Sequence, residues 1–201
     1  MRRRPLVPLA LATLLLGAAP SGPAAAFLDA WAKISSYTCD IKAHLVKAGD
    51  VQDRTYHYAF LKPHYAKIDI TGGPGRGGGA VWTGGDTVSG HQGGILSGIH
   101  LRVSIHDGRA VDLRNHTMDG ASFEAMADAI RGAPSISQGE ETFNGTAYDT
   151  VTMPYSDEFG ATKRTVYLSR STHLPARRVT YEGDQVVETE DFTQLNTAAN
   201  L

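Results

Sequence analysis

Residues 37–45 read Tyr37-Thr38-Cys39-Asp40-Ile41-Lys42-Ala43-His44-Leu45, with mostly apolar side chains at the odd positions and Thr, Asp, Lys and His between them. In an extended chain successive side chains point to opposite faces, so this period of two predicts a β-strand with one wet face. Just before it, Phe27, Ala30, Trp31 and Ile34 recur at helical spacing, and Ser35-Ser36 ends that pattern. Just after it, Gly49-Asp50 makes a turn and a second strand follows at about 54–61. Lys62-Pro63 breaks that strand, and a third runs over 65–71.

Further along, Gly72-Gly73-Pro74-Gly75-Arg76-Gly77-Gly78-Gly79 is followed by the short apolar pieces Ala80-Val81-Trp82 and Thr87-Val88. Short strands separated by glycine turns fit a tightly curved antiparallel sheet, because glycine takes turn and bulge dihedrals that other residues resist. Leu101, Val103 and Ile105 alternate with Arg102, Ser104 and His106, which predicts another strand or an extended flap. Phe123, Met126, Ala127 and Ile130 then stand at i, i+3, i+4 and i+7, a second helix that Gly132 and Pro134 stop. The C-terminal third is a strand series over about 135–142, 147–153, 163–168, 176–181 and 185–192. Of its turns, Asn144-Gly145 carries the strongest hairpin signal. Nine or so strands and two helices without βαβ alternation make the fold class α+β, built around one antiparallel meander in a single domain.

The chain opens Met1-Arg2-Arg3-Arg4, continues without charge from Pro5 to Ala26 around an apolar stretch at 6–16, and ends this region in Ala24-Ala25-Ala26. That order of charge, apolar run and small residues predicts a signal peptide over 1–26, cleaved near Ala26, and hence an exported protein. Pro8, Pro20, Gly22 and Pro23 interrupt the run that a membrane anchor would need. A mature domain over 27–201 has 201 − 26 = 175 residues. It keeps 16 of the 19 Lys and Arg and all 21 Asp and Glu, a net charge of 16 − 21 = −5 with histidine neutral. This mildly acidic chain argues against nucleic acid as a partner. The single cysteine, Cys39, excludes an intrachain disulfide and falls among the apolar positions of its strand, as a buried thiol would.

No chemistry-bearing motif stands out. The glycine run lacks the Lys-Ser/Thr ending and the following helix of a phosphate-binding loop. The eight histidines form no HxH, HExxH or Cys/His cluster and read as solvated surface groups. Among them His91 stands apart, since its neighbours Gly90, Gly93 and Gly94 let a ligand approach the backbone. Ser89-Gly90-His91 is no nucleophile elbow, and Glu140-Glu141 and Asp157-Glu158 are adjacent carboxylates that a strand would splay to opposite faces. The expectation is a protein that is not an enzyme and needs no cofactor or metal.

Four segments resemble the LolA-like superfamily of periplasmic outer-membrane lipoprotein carriers. They are the helix and strand over 27–45, Tyr58-Ala59-Phe60-Leu61-Lys62-Pro63-His64-Tyr65-Ala66-Lys67-Ile68, and the hairpin Val81-Trp82-Thr83-Gly84-Gly85-Asp86-Thr87-Val88. The fourth runs from Val166-Tyr167-Leu168-Ser169 through Leu174-Pro175-Ala176-Arg177-Arg178 and Tyr181-Glu182-Gly183-Asp184 to Phe192 and Asn196. The resemblance implies a strongly curved antiparallel half-barrel covered by two or more helices acting as a lid. An apolar cavity between them would take an acyl chain. It further implies a monomeric carrier of a lipoprotein acyl chain, a lipid or another amphipathic envelope molecule, with an envelope membrane protein as donor or acceptor. A sensor or assembly module on the same fold is the alternative. A hydrolase built on surface His and Asp is the third reading, which convergent His and carboxylate side chains in one pocket would support. In the carrier the basic residue before the motif proline is an arginine that couples lid to barrel; here Lys62 takes its place. On this reading Phe27, Trp31, Phe123, Met126 and Ile130 line the lid side, and Tyr58, Phe60, Ile68, Val81 and Val103 line the sheet side.

Overall fold

A computed structural model describes residues 21–94 and 98–201. Helix α1 (Gly22–Ala32) leads into β1 (Ser36–Lys47), β2 (Asp50–Leu61), β3 (Tyr65–Gly72), β4 (Gly79–Trp82), β5 (Thr87–His91) and β6 (His100–Ser104). A single helical turn at Met118–Ala121 precedes α2 (Phe123–Gly132). The chain then continues through β7 (Ser137–Phe143), β8 (Thr146–Pro154), β9 (Lys163–Ser169), β10 (Pro175–Glu182) and β11 (Gln185–Asn196). The eleven strands form one open antiparallel sheet in the order β6-β5-β4-β3-β2-β1-β11-β10-β9-β8-β7. The fold class is α+β, one open antiparallel sheet with two helices, and both short apolar pieces of the glycine-rich region are full strands within it.

The strand order dictates what covers the sheet. β6 and β7 are neighbours in the chain but stand at opposite edges of eleven strands. The connection over 105–136 therefore has to cross a whole face of the sheet, and it carries α2 with it. A strap of residues 105–121 and then α2 lie on the face presented by Tyr37, Cys39 and Ile41 of β1 and by Tyr58 and Phe60 of β2, all buried. The Ser122 hydroxyl caps α2 by accepting the Ala125 N–H at 3.0 Å, and Phe123, Met126, Ala127 and Ile130 are the face it buries.

Helix α1 begins five residues before the expected start of the mature chain. Pro23 sits in its first turn, where a missing N–H costs nothing, and Ala24 is completely buried with its N–H donated to Gln138 Oε1 at 2.8 Å. The predicted cleavage point after Ala26 thus falls inside this helix. Residues 1–20, most of the segment read as a signal peptide, lie outside the described residues.

The glycine run is a hairpin turn, as the sequence predicts. The Ile70 N–H donates to Gly78 O and the Gly77 N–H to Ile70 O, both at 2.8 Å. Gly73 has φ +80, and a Cβ there would meet Asp53 O at 2.0 Å, so no other residue fits. Asn144 and Gly145 both have positive φ and join β7 to β8 as a tight two-residue hairpin.

Candidate functional site

The covered face divides into an aromatic end and a charged end. At the aromatic end α1, α2, β1 and β2 meet. Tyr37 stacks on Phe123 with ring centroids 4.3 Å apart, and Trp31 stands edge-on to both Tyr37 and Phe123 at 5.8 and 6.0 Å. Polar tips are satisfied. The Phe123 N–H donates to the Tyr37 hydroxyl at 3.1 Å, and Trp31 Nε1 donates to Glu124 at 2.7 Å. Lys62 Nζ donates to Trp31 O at 2.7 Å and lies 3.9 Å from the centre of the Trp31 ring, so its charge ties the last turn of α1 to the end of β2. Phe27, Trp31, Tyr58, Phe60, Phe123, Met126 and Ile130 are all buried, and they belong to one packed cluster. The structure thus brings most of the predicted cavity residues together, as a filled plug.

Tyr58 marks the boundary, donating its hydroxyl to Met118 O of the strap at 3.0 Å. Beyond it the sheet pairs Arg54 with Ala43, Ala43 with Glu190 and Glu190 with Arg178 across four strands. In the next row Leu45 faces Glu188, Glu188 faces Thr180, and Thr180 faces Arg164. Arg178 is 2% and Glu188 0% exposed. Arg178 pairs with both Glu188 and Glu190, Arg164 reaches Glu188 at 3.1 Å, and Thr180 donates to the same carboxylate. The strap is bound to this row. Arg178 Nη1 donates to Gly120 O at 2.7 Å, and His116 Nδ1 lies 3.1 Å from Asp112 and 3.4 Å from Glu188. Arg114, fully buried, pairs with Asp157 at 2.7 Å and with Glu182 at 2.8 Å, and donates to Val46 O at 2.7 Å.

None of these charged partners was expected inside, and they correct the reading of the histidines as uniformly solvated. His44 and His57 do pair with Asp53 and Asp40 at the surface, but His116 sits within the buried charge cluster. Arg178, Glu188 and Glu190 occupy inward positions of strands whose apolar alternation is weak, and only the mutual register of β10 and β11 brings them opposite each other.

Burial opposes charging of His116, but its hydrogen bond to Asp112 and the field of Glu188 outweigh that and raise its pKa. Burial raises Glu190 to about 6 against the pull of Arg178, with Glu188 adding to the rise. For both groups the folded protein holds its proton to higher pH than the unfolded chain. Their contribution to stability is therefore present at low pH and is lost as pH rises through about 6 for Glu190 and through the raised His116 value above it. The urea-unfolding free energy should fall by roughly 1–3 kcal/mol between pH 5.5 and pH 8. Glu190→Gln should flatten part of that slope; an unchanged slope would place the titration elsewhere.

The strap leaves space on both of its sides. Toward α2, a cleft of about 350 Å³ is lined by His116, Met126, Met153, Tyr155, Val166 and Arg178 among others. Toward β2–β4, a cavity of about 120 Å³ is lined by Ile41, Tyr56, Ile68, Ile70, Ala80 and Met118, with Arg54, Arg109, Asp112, Arg178 and Glu190 as its charged wall. It continues past Gly79, Ala80 and His91 into a smaller recess of about 60 Å³ lined by Val88, Leu101 and Val103. Of the predicted residues, Ile68 and Val103 therefore line open space here, and Met126 lines the cleft. Val81 pairs with Lys67 and Ser89 on the other face of the sheet, while its neighbours Ala80 and Trp82 face inward. A strand one residue out of step turns every side chain over, which explains that correction. An apolar cavity of about 150 Å³ holds a benzene ring, so the space as it stands accepts a small apolar group, and a long acyl chain requires the strap to lift.

The open antiparallel sheet with its two edges bridged by a strap and a helix is similar in fold to several solved structures. No protein-family model matches the sequence, and no curated protein matches it. Among solved structures, MucB is 17% identical, over 90% of this chain and 61% of its own, with a TM-score of 0.50. A LolA superfamily protein from Nitrosomonas europaea is 11% identical over 90% of this chain and 96% of its own, at 0.44. The Mycobacterium tuberculosis lipoprotein LppX is 12% identical over 89% and 95%, at 0.46. No group of three or more His, Cys, Asp or Glu among the described residues is placed to hold a metal ion, and no described helix is long and apolar enough to cross a membrane.

Proposed function

We propose that this protein is a non-catalytic binding protein or carrier for an amphipathic envelope molecule, a lipid or the acyl chain of a lipoprotein. It would be exported to the periplasm with its leader removed near Ala26, and would act as a monomer. The observation that carries this reading is the space under the strap: a pocket on the covered face, apolar along Ile68, Ile70 and Ala80 and charged on its opposite wall, whose roof is held by a handful of polar contacts. Opening would be opposed by those contacts, and closing over a ligand would recover them. Each methylene moved from water into the pocket contributes about 0.8 kcal/mol, so a chain of a dozen offsets the loss of several strap contacts. Lifting of the strap and binding of the chain are then coupled, and release follows when a partner holds the strap open.

An envelope sensor or assembly module is the second reading. It is favoured by an open cleft of about 650 Å³ beside α1, lined by Ile34, Leu174, Pro175 and Leu195, a surface on which a protein segment could rest. Native mass spectrometry of protein purified from the envelope separates the two. The carrier reading expects a lipid-sized adduct that organic extraction removes, together with a chain mass that reports the mature N-terminus. Bare protein in every preparation overturns it, and bare protein with a stoichiometric protein partner establishes the second reading instead.

A further inference from the structure

We infer that the cavity under the strap selects a single-tailed amphipathic carboxylate, with its acid group on Arg54 and its tail along Ile68, Ile70 and Ala80 toward Val88 and Val103. This rests on the binding-protein reading above and adds the chemistry of the ligand. Three guanidinium groups stand in the cavity wall. Arg109 is held by Asp107 through two hydrogen bonds at 2.8 Å, and Arg178 is matched by Glu188 and Glu190. Arg54 has no carboxylate partner among the described residues, and its Nε is buried without any hydrogen-bond acceptor. Arg178 Nε is buried and unpartnered in the same wall. A buried donor without an acceptor costs free energy comparable to a lost hydrogen bond, and more when charged. Glu190 Oε2 is the one unpartnered acceptor of this wall. Two guanidinium donors thus face one free oxygen, and Arg54 is the arginine without a carboxylate of its own.

The surroundings of Arg54 narrow the choice. Asp112 and Glu190 share the wall, and they oppose a second negative charge on the ligand; a carboxylate fits better than a phosphate dianion. The Tyr56 hydroxyl, driven up to about 12 mainly by burial, stays protonated beside Arg54 and can donate to the same acid. The apolar length from Ile70 continues past Gly79 and Ala80, residues that line both spaces, into a recess of only about 60 Å³ at Val88 and Val103, a volume that favours a single chain.

Titration calorimetry of the full mature protein with octanoate, octan-1-ol, octylammonium and octyl phosphate tests this. Octanoate should bind about tenfold more tightly than octan-1-ol, with octylammonium weakest and octyl phosphate below octanoate. Arg54→Gln should bring octanoate to the level of octan-1-ol while leaving the alcohol unchanged. Ala80→Leu, which fills the passage, should weaken acid and alcohol alike. Equal binding of acid, alcohol and amine overturns the inference, as does an Arg54→Gln protein that keeps the preference, or octyl phosphate binding most tightly. If none of the four binds while envelope-derived protein carries a lipid adduct, this inference falls and the carrier reading stands. If the expected order appears while envelope-derived protein is bare, the selectivity stands and the carrier reading falls.

Discussion

Arg178→Met should cost about 4 kcal/mol of folding stability and lower the melting temperature by on the order of 10 °C. Among the described residues Arg178 is the only cation in direct contact with both Glu188 and Glu190, and all three are buried. Removing it strands two carboxylates in a low-dielectric setting, with Arg164 and His116 left to face Glu188 alone. It also frees Gly120 O of the strap. The cost comes from the uncompensated charges more than from the ion pairs themselves, since desolvation offsets much of what a buried pair gains. Combining Arg178→Met with Glu188→Gln and Glu190→Gln should therefore recover most of the loss. Urea unfolding of the single and triple variants checks both parts. A single variant within about 1 kcal/mol of the parent would show that the cluster is already hydrated or protonated.

Trp31→Ala should be as costly, about 3–5 kcal/mol, because a large aromatic side chain leaves a cavity that rigid neighbours cannot fill. Its ring is the hub on which Tyr37, Phe60 and Phe123 converge, and it carries the Lys62 charge on its face. Trp31→Phe keeps most of that contact but leaves the Glu124 carboxylate without its indole donor, and should cost roughly 1–2 kcal/mol. Because α1 reaches the sheet mainly through Phe27 and Trp31, amide exchange in residues 22–32 should accelerate in Trp31→Ala more than in β1 and β2. Uniform acceleration would mean that the helix and sheet unfold as one unit.

The aromatic plug bears on how a carrier of this fold could open. Phe123 and Met126 sit on one helix, but Phe123 is locked in the stacked cluster while Met126 also faces the cleft beside the strap. Substitution at Phe123 should disturb folding because its ring is packed in the core, so Met126 is the better position for probing ligand contact from the helix side. On the sheet side the same logic favours Ile68 and Val103 over Tyr58 and Phe60.

Local pattern carried much of this. The alternation from Tyr37 to Leu45, the Lys62-Pro63 break, the Asn144-Gly145 turn and the spacing of Phe123, Met126 and Ile130 each name an element that the structure contains, because backbone sterics and the burial of one face act within a few residues. Which residues would share the interior was legible where apolar side chains repeat, so the aromatic cluster was foreseeable. Val81 was not placed correctly, since four-residue strands are too short for a period of two to set the inward face.

The amino-acid order alone was enough to establish an antiparallel α+β chain with two amphipathic helices and one buried thiol. Only the tertiary arrangement decided that the aromatic residues pack solid, that the strap divides the space beneath it, and that Arg178, Glu188, Glu190 and His116 meet inside. The reason is that a charged residue in a strand reads as solvent-facing until a partner from another strand or loop neutralises it. That partner is set by sheet register and by a connection crossing from one edge of the sheet to the other, neither of which is written in any short stretch of chain.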